Sequence, residues 1–215
     1  MAFVWGVDSA SSVDQQLLQC VITNFGRPMV WGRYLSTVPR IASGLTAGEI
    51  TFLQRQNIKI LPIYNDFRNA VGYENGKNVA LRAITQAVRL RIPKETFIFA
   101  NIEHYFQINE AWIRGWADTI RRSDYQSGMY HDPIRGPFSK AFCQAVKKDA
   151  KIGNETVLWS AQPEVKTTGP KNAPTFSPNS PKCQKNIWAW QYGRDAKTCP
   201  IDSNLIDRRL YNQLF

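Results

Sequence analysis

The sequence predicts an α/β fold: a single-domain, irregular TIM-like barrel over residues 1–215, built as (β/α)5β3. Three observations point there. Short apolar runs alternate with amphipathic stretches, the rhythm of strands and helices wound about a parallel sheet. About eight such runs follow one another, and the last three lack full helices between them. The rival open sheet would want a Gly-rich phosphate loop after its first strand, and Asp8-Ser9-Ala10-Ser11-Ser12 offers no G-x-G-x-x-G. With 215 residues the chain is short against the ~250 typical of such barrels, yet long enough for one well-buried core.

The elements can be taken in order. Residues 3–7 are the first predicted strand, ending on Asp8. Residues 14–23 carry Leu17, Leu18, Val21 and Ile22 at helical spacing. Residues 29–35 are the second strand. Thr46 with Glu49 three positions on is a capping box, opening a helix that runs to about Gln56. Residues 58–64 are almost continuously apolar, as a strand covered on both faces should be. A helix over 77–91 places Val79, Ala80, Ala83, Ile84, Ala87 and Val88 on one side, and a fourth strand over 96–100 runs into Asn101-Ile102-Glu103. A helix over 110–122, a strand over 125–131 and a helix over 137–148 complete five units. Strands are then expected over 156–161 and 187–192, with a short last one at Leu205 and Ile206. Between the first two lies a Pro-, Thr- and Ser-rich loop, residues 162–182, of a length that is usually functional or mobile.

Composition narrows the class. The chain carries a net charge of +10, which suits attraction to an anionic wall surface, or simply a solvated basic face. Nucleic acid is disfavoured, because the basic residues are scattered and no RNP, zinc-finger or helix-turn-helix pattern accompanies them. No apolar run reaches the ~18–20 residues of a membrane span. The start, Met1-Ala2-Phe3-Val4-Trp5, has no basic region before its apolar stretch and does not read as a signal peptide. The sequence leaves the compartment open; if the chain leaves the cytoplasm, a non-Sec route, a longer precursor or release by lysis is expected. Cys20 and Cys143 fall in helix-like stretches and read as small buried hydrophobes. Cys183 and Cys199 flank an apolar run in polar loops and could pair as a disulfide in an oxidising compartment.

In a barrel, reactive groups collect where strands end. Strand ends here offer Asp8, Arg33, Asn65 with Asp66, Asn101 with Glu103, His131 with Asp132, and Asp207. Two carboxylates facing one cleft are the minimum equipment for splitting a glycosidic bond, one as proton donor and one as stabiliser or nucleophile. Glu103 leads because an apolar strand runs straight into it, and aromatic neighbours would favour its protonated form. The plainer reading of Glu103 is an ion pair with Arg33 or with a helix terminus, and that of Asp8 is a helix cap, although Ser11, Ser12 and Asp14 are better placed. His104 and His131 with Asp132 lack the spacing of a metal site, no cofactor motif is present, and no G-x-S-x-G elbow supports a serine hydrolase. Trp188, Trp190 and Tyr192 alternate with Ala189 and Gln191, so their rings should share one face, for stacking on sugars or for core packing.

Several motifs in order carry a resemblance. They are G-V-D at residues 6–8, W-G-R-Y-L at 31–35, L-T-x-x-E at 45–49 and I-L-P-I-Y at 60–64. F-A-N-I-E at 99–103, G-M-Y at 128–130, L-W-S-A at 158–161, W-Q-Y at 190–192 and L-I-D at 205–207 continue the set. Together they resemble the glycoside-hydrolase-like family catalogued as domain of unknown function 1906, related to the family 25 lysozymes, which are N-acetylmuramidases. The resemblance implies a barrel of five units closed by three strands, acting on cell-wall polysaccharide. It implies catalytic roles for Asp8, for Glu103 as the Glu of a D-x-E motif, and for Asp207 in preference to Asp202. Arg33 would hold Asp8 or a substrate group. Substrate contacts would fall to Asn101, Tyr64, Tyr130, Trp159, Trp190 and Tyr192. One departure is chemical: the first Asp of D-x-E is Asn101, which can hydrogen-bond an N-acetyl group but offers no charge to an oxocarbenium-like transition state. A barrel that binds glycan without cleaving it is the alternative this residue raises.

Overall fold

The computed structural model describes residues 2–184 and 186–215. Eight strands close into a barrel in sequence order: β1 (Phe3–Ser9), β2 (Val30–Tyr34), β3 (Lys59–Tyr64), β4 (Phe97–Asn101), β5 (Gln126–His131), β6 (Val157–Ser160), β7 (Ile187–Gly193) and β8 (Asp202–Asp207). Neighbours from β1 to β7 are parallel. The last strand, β8, is antiparallel to both β7 and β1, with Asp8 opposite Asp202 and Phe3 opposite Asp207.

Helices α1 (Gln15–Asn24), α2 (Ala47–Arg55), α3 (Tyr73–Arg89), α4 (Glu110–Arg121) and α5 (Phe138–Lys148) surround the strands. Two more, α6 (Ala150–Glu155) and α7 (Arg208–Asn212), are one or two turns long and follow no apolar period long enough to read. Helix α3 starts four residues before its apolar stripe announces it. Its N-cap is Gly72, which makes no side-chain cap, and Gly76 sits in its first turn, so no capping signal marks the start. Asp14 caps α1 by accepting from the Leu17 amide, which frees Asp8 from that role.

The period of two along each strand divides the apolar residues into two cores. Val4, Val30, Leu61, Phe97, Phe99, Trp159 and Ile206 fill the barrel interior. Trp5, Trp31, Ile60, Ile98, Trp112, Trp116 and Phe142 belong to the layer between strands and helices. The 162–182 loop has taken a structural post in that outer layer. The Val165 amide donates to the Tyr192 carbonyl, and the Thr168 carbonyl accepts from both Trp5 Nε1 and the Tyr192 hydroxyl. Phe176 stacks on Phe3, with ring centroids 4.1 Å apart. The loop thus covers Trp5, Trp190 and Tyr192 where a regular barrel would lay a helix.

The expected Cys183–Cys199 pairing is not what forms. The disulfides are Cys20–Cys199, which ties α1 to the segment after β7, and Cys143–Cys183, which ties α5 to the end of the long loop. The Cys20–Cys199 pair, 179 residues apart, is brought together by the pairing of β8 with β1 that closes the barrel. Cys20 and Cys143 therefore serve as crosslinks rather than as small hydrophobes.

A buried ion pair locks the first units together. Arg33 points outward from β2, and its Nε meets Glu49 Oε1 of α2 at 2.6 Å, with both side chains almost fully buried. The same guanidinium donates to the carbonyls of Ser9 at 2.6 Å and Ser43 at 2.9 Å. Thr46 does accept from the Glu49 amide, but the Glu49 carboxylate serves Arg33 and the Val13 amide instead of returning to complete the box. Arg33 hydrogen-bonds to Glu49, Ser9 and Ser43 rather than to Asp8, which lies on the other face of the sheet and feels it only through its charge. Replacing Arg33→Met would leave Glu49 charged and buried without its counter-ion, at an expected cost of about 3–5 kcal/mol. Urea unfolding measures this, and a loss below about 1 kcal/mol would contradict the role.

Candidate active site

The parallel strands all end at one rim, and β8 begins there. Residues that point inward at this end line a cavity of about 170 Å³. Asp8 from β1, Asn101 from β4, Tyr130 from β5, Trp159 from β6 and Gln191 from β7 contribute, with Glu103 just beyond Asn101 and Asp202 opening β8. Space for Asp8 comes from its register partner: a Cβ on Gly32 would lie 2.7 Å from the Asp8 Cβ.

The polar groups of this layer bond mainly to one another. Gln191 Nε2 donates to both carboxylate oxygens of Asp8, at 3.1 and 3.3 Å, and to Asp202 Oδ2 at 3.1 Å. Asn204 Nδ2 donates to Asp8 Oδ1 at 2.6 Å. Behind these amides stand Tyr130, whose hydroxyl donates to Gln191 Oε1 at 2.8 Å, and Trp159, whose Nε1 donates to Asn204 Oδ1 at 3.0 Å. With their oxygens occupied, both amides must aim N–H groups at Asp8, so their orientation is decided by the network. On the other side of the cavity, Asn101 Nδ2 donates to Glu103 Oε1 at 3.0 Å.

Asp8 and Asp202 cannot both ionise freely. Burial raises the Asp8 pKa above 3.8, against the hydrogen bonds from Asn204 and Gln191. Burial and the charge of Asp8 push Asp202 up to about 8. Buried together, the two carboxyls disfavour each other's charge, so ionising both costs more than ionising one.

Several sequence assignments fall elsewhere. Asp207 lies at the opposite end of the barrel, because β8 runs antiparallel; it caps α7 and pairs with Arg209. Its place beside Asp8 is taken by Asp202, the assignment the sequence ranked lower. Tyr64 points into the outer layer, where its hydroxyl accepts from Arg82 Nε. Trp190 and Tyr192 also point outward: Trp190 Nε1 donates to the Pro163 carbonyl, and the Tyr192 hydroxyl accepts from Trp5 Nε1. Trp188 does not share their face. It meets Phe97 edge-on and lies beneath Arg209 at the far end of the barrel, where β7 slips register against β6. His131 is buried in the outer layer, stacked on Phe138, and burial lowers its pKa to about 3. Asp132 binds the Ile134 and Arg135 amides and the Arg135 side chain. Among the described residues no three His, Cys, Asp or Glu side chains gather as metal ligands.

The structure adds Gln191, Asn204, Tyr34 and Arg194 to the site and moves Asp202 ahead of Asp207. A signal for one of them was present. Gln191 is a polar residue in an otherwise apolar strand, and such a position needs buried partners.

A barrel with carboxyls converging at the strand ends belongs to the glycoside-hydrolase class of architectures. The chain is a member of the Rv2525c-like, glycoside hydrolase-like domain family, whose model matches residues 28–206. A 1.07 Å crystal structure of an uncharacterized B. stearothermophilus protein is 48% identical, with a TM-score of 0.97 over 99% of this chain and 100% of that one. The Mycobacterium tuberculosis Tat-secreted protein Rv2525c is 16% identical, with a TM-score of 0.61 over 94% and 95% of the two chains. A bacterial lysozyme from Streptomyces coelicolor is 12% identical, with a TM-score of 0.60 over 98% and 96%. The last two likenesses establish the fold alone. Among curated proteins none matches the chain.

The carboxyl pair has a consequence for stability. A carboxyl whose folded pKa lies above its unfolded value stabilises the fold fully below the unfolded pKa, and that contribution is lost as pH rises through the folded one. For Asp202 the window runs from about pH 4 to about pH 8. Across it, wild-type stability should fall relative to that of Asp202→Asn. Urea midpoints measured for both proteins at several pH values check this, and parallel curves would count against the raised Asp202 pKa.

Proposed function

We propose that the cavity hydrolyses glycosidic bonds in bacterial cell-wall glycan, in the manner of a muramidase. The observation that carries this reading is the gathering of Asp8, Asp202 and Glu103 in one small cavity, with Asp8 and Asp202 joined through Gln191. Glu103, oriented by Asn101, donates its proton to the glycosidic oxygen as the bond from the anomeric carbon breaks. The negative charge held by the Asp8–Asp202 pair stabilises the positive charge developing on the sugar. Water then adds hydroxide to that carbon and returns its proton to Glu103. Asn101 supplies no charge, so the burden falls on the pair at the opposite wall. Tyr130 and Trp159 act through the amides they orient.

Two disulfides favour an oxidising compartment, which supports action outside the cytoplasm, where wall glycan lies. The net charge of +10 favours approach to an anionic wall surface. Among the described residues no helix is long and apolar enough to cross a membrane. A second reading, glycan binding without turnover, rests on Asn101 standing where the lysozyme motif has Asp.

The test is incubation with purified peptidoglycan, before and after removal of its stem peptides, with new reducing ends counted and fragments identified by mass spectrometry. Glu103→Gln should lose about 10²–10⁴-fold in rate while still binding. No new reducing ends, or equal activity in the variant, overturns the hydrolase reading. Binding without turnover that survives the substitution favours the second.

A further inference from the structure

The cavity contains a cation that the hydrolytic steps do not use. Arg194, one residue past β7, lines it together with Glu103, Asp195 and Asp202. Its Nε is buried and has no hydrogen-bond partner among the described residues. The nearest carboxylate on that nitrogen is Glu164 Oε2, 3.9 Å away, which is ion-pair distance without a hydrogen bond. Glu164 is itself 46% exposed, so it is free to move aside. A guanidinium with an unfilled N–H beside a loosely held carboxylate is arranged to accept a carboxylate from elsewhere.

The backbone holds Arg194 in this place. The 162–182 loop packs directly on β7, and a Cβ on Gly193 would lie 2.4 Å from the Thr167 amide nitrogen. Thr167 Oγ1 donates to the Arg194 carbonyl at 3.0 Å. Loop and strand end are therefore fixed to each other, and Glu164 reaches Arg194 from the same loop.

We propose that Arg194 binds a carboxylate on the glycan, so that the site selects acidic amino sugars over neutral ones. This rests on the hydrolase reading for its substrate, though binding can be tested without turnover. In wall glycan the fitting group is the lactyl carboxylate of muramic acid. Where a stem peptide is attached, that carboxylate is an amide and carries no charge. An amide hydrolysis that strips the peptide would therefore supply the preferred substrate. The rival role for Arg194 is simple neutralisation of the surrounding acids, which would serve every sugar equally.

The experiment compares peptide-free glycan oligomers, the same oligomers with their carboxylates converted to methylamides, and chitin oligomers. Binding to Glu103→Gln protein is read by calorimetry, and turnover by the wild type is read in parallel. The acid should bind about ten- to a hundredfold more tightly than its methylamide, the range expected for a hydrogen bond to a charged group. Raised salt should narrow that gap. In the Glu103→Gln background, Arg194→Gln should abolish the preference, Arg194→Lys should restore part of it, and Glu164→Gln should widen it. Equal affinity for acid and methylamide overturns the proposal, as does an Arg194→Gln loss that is the same for all three ligands. Selective binding without cleavage would uphold Arg194 while removing the hydrolase reading, so the two can fail separately.

Discussion

The site depends on the direction of one strand. Because β8 runs antiparallel to β1, it presents its first residue to the rim where the other strands present their last, and the register sets Asp202 opposite Asp8. A parallel eighth strand would have brought Asp207 to that rim instead. The same pairing puts Asn204 opposite Gln191, so both amides reach Asp8. Closure and chemistry are thus a single constraint, since shifting β8 by one residue would turn Asp202 and Asn204 away from the cavity.

Around that constraint the molecule separates its tasks by sheet face. Inward-facing residues at the rim form the polar layer, in which hydrogen bonds are strengthened by low dielectric and the Gln191 and Asn204 amides are aimed by Tyr130 and Trp159 behind them. Outward-facing residues do the structural work. Arg33 is the clearest case: it adjoins Gly32, which makes room for Asp8, yet its own side chain binds Glu49 on the other side of the sheet. The long loop replaces the missing helices over β7 and β1 and also carries Glu164 to the rim. Two disulfides then tie α1 and α5 to the parts of the chain that have no long helix.

Much of this was legible in the sequence, for identifiable reasons. Parallel strands buried on both faces appear as apolar runs, so β1 to β7 could be found without coordinates, and Asn101 and Glu103 followed from the end of β4. The eighth strand was cut short because Asp202, Ser203 and Asn204 are polar. They are polar because two of them serve the cavity, so the function hid the element that carries it. Strand direction is not written in periodicity, and this is why Asp207 was preferred to Asp202. Alternation showed that Trp190 and Tyr192 share a face, but only the fold decides that this face lies under the loop. Disulfide connectivity likewise awaited the closed barrel.

The central claim is that barrel closure buries Asp8 and Asp202 together beside Glu103, so that one carboxyl of the pair keeps its proton well above the usual aspartate range. Carbon-13 NMR of the aspartate carboxyls, titrated from pH 3 to pH 9 and assigned with Asp8→Asn and Asp202→Asn, reads this most directly. One carboxyl of the pair should titrate far above the usual aspartate range, near pH 8, and should move down when its partner is replaced. Two carboxyls that both titrate near pH 4, each indifferent to loss of the other, would contradict it.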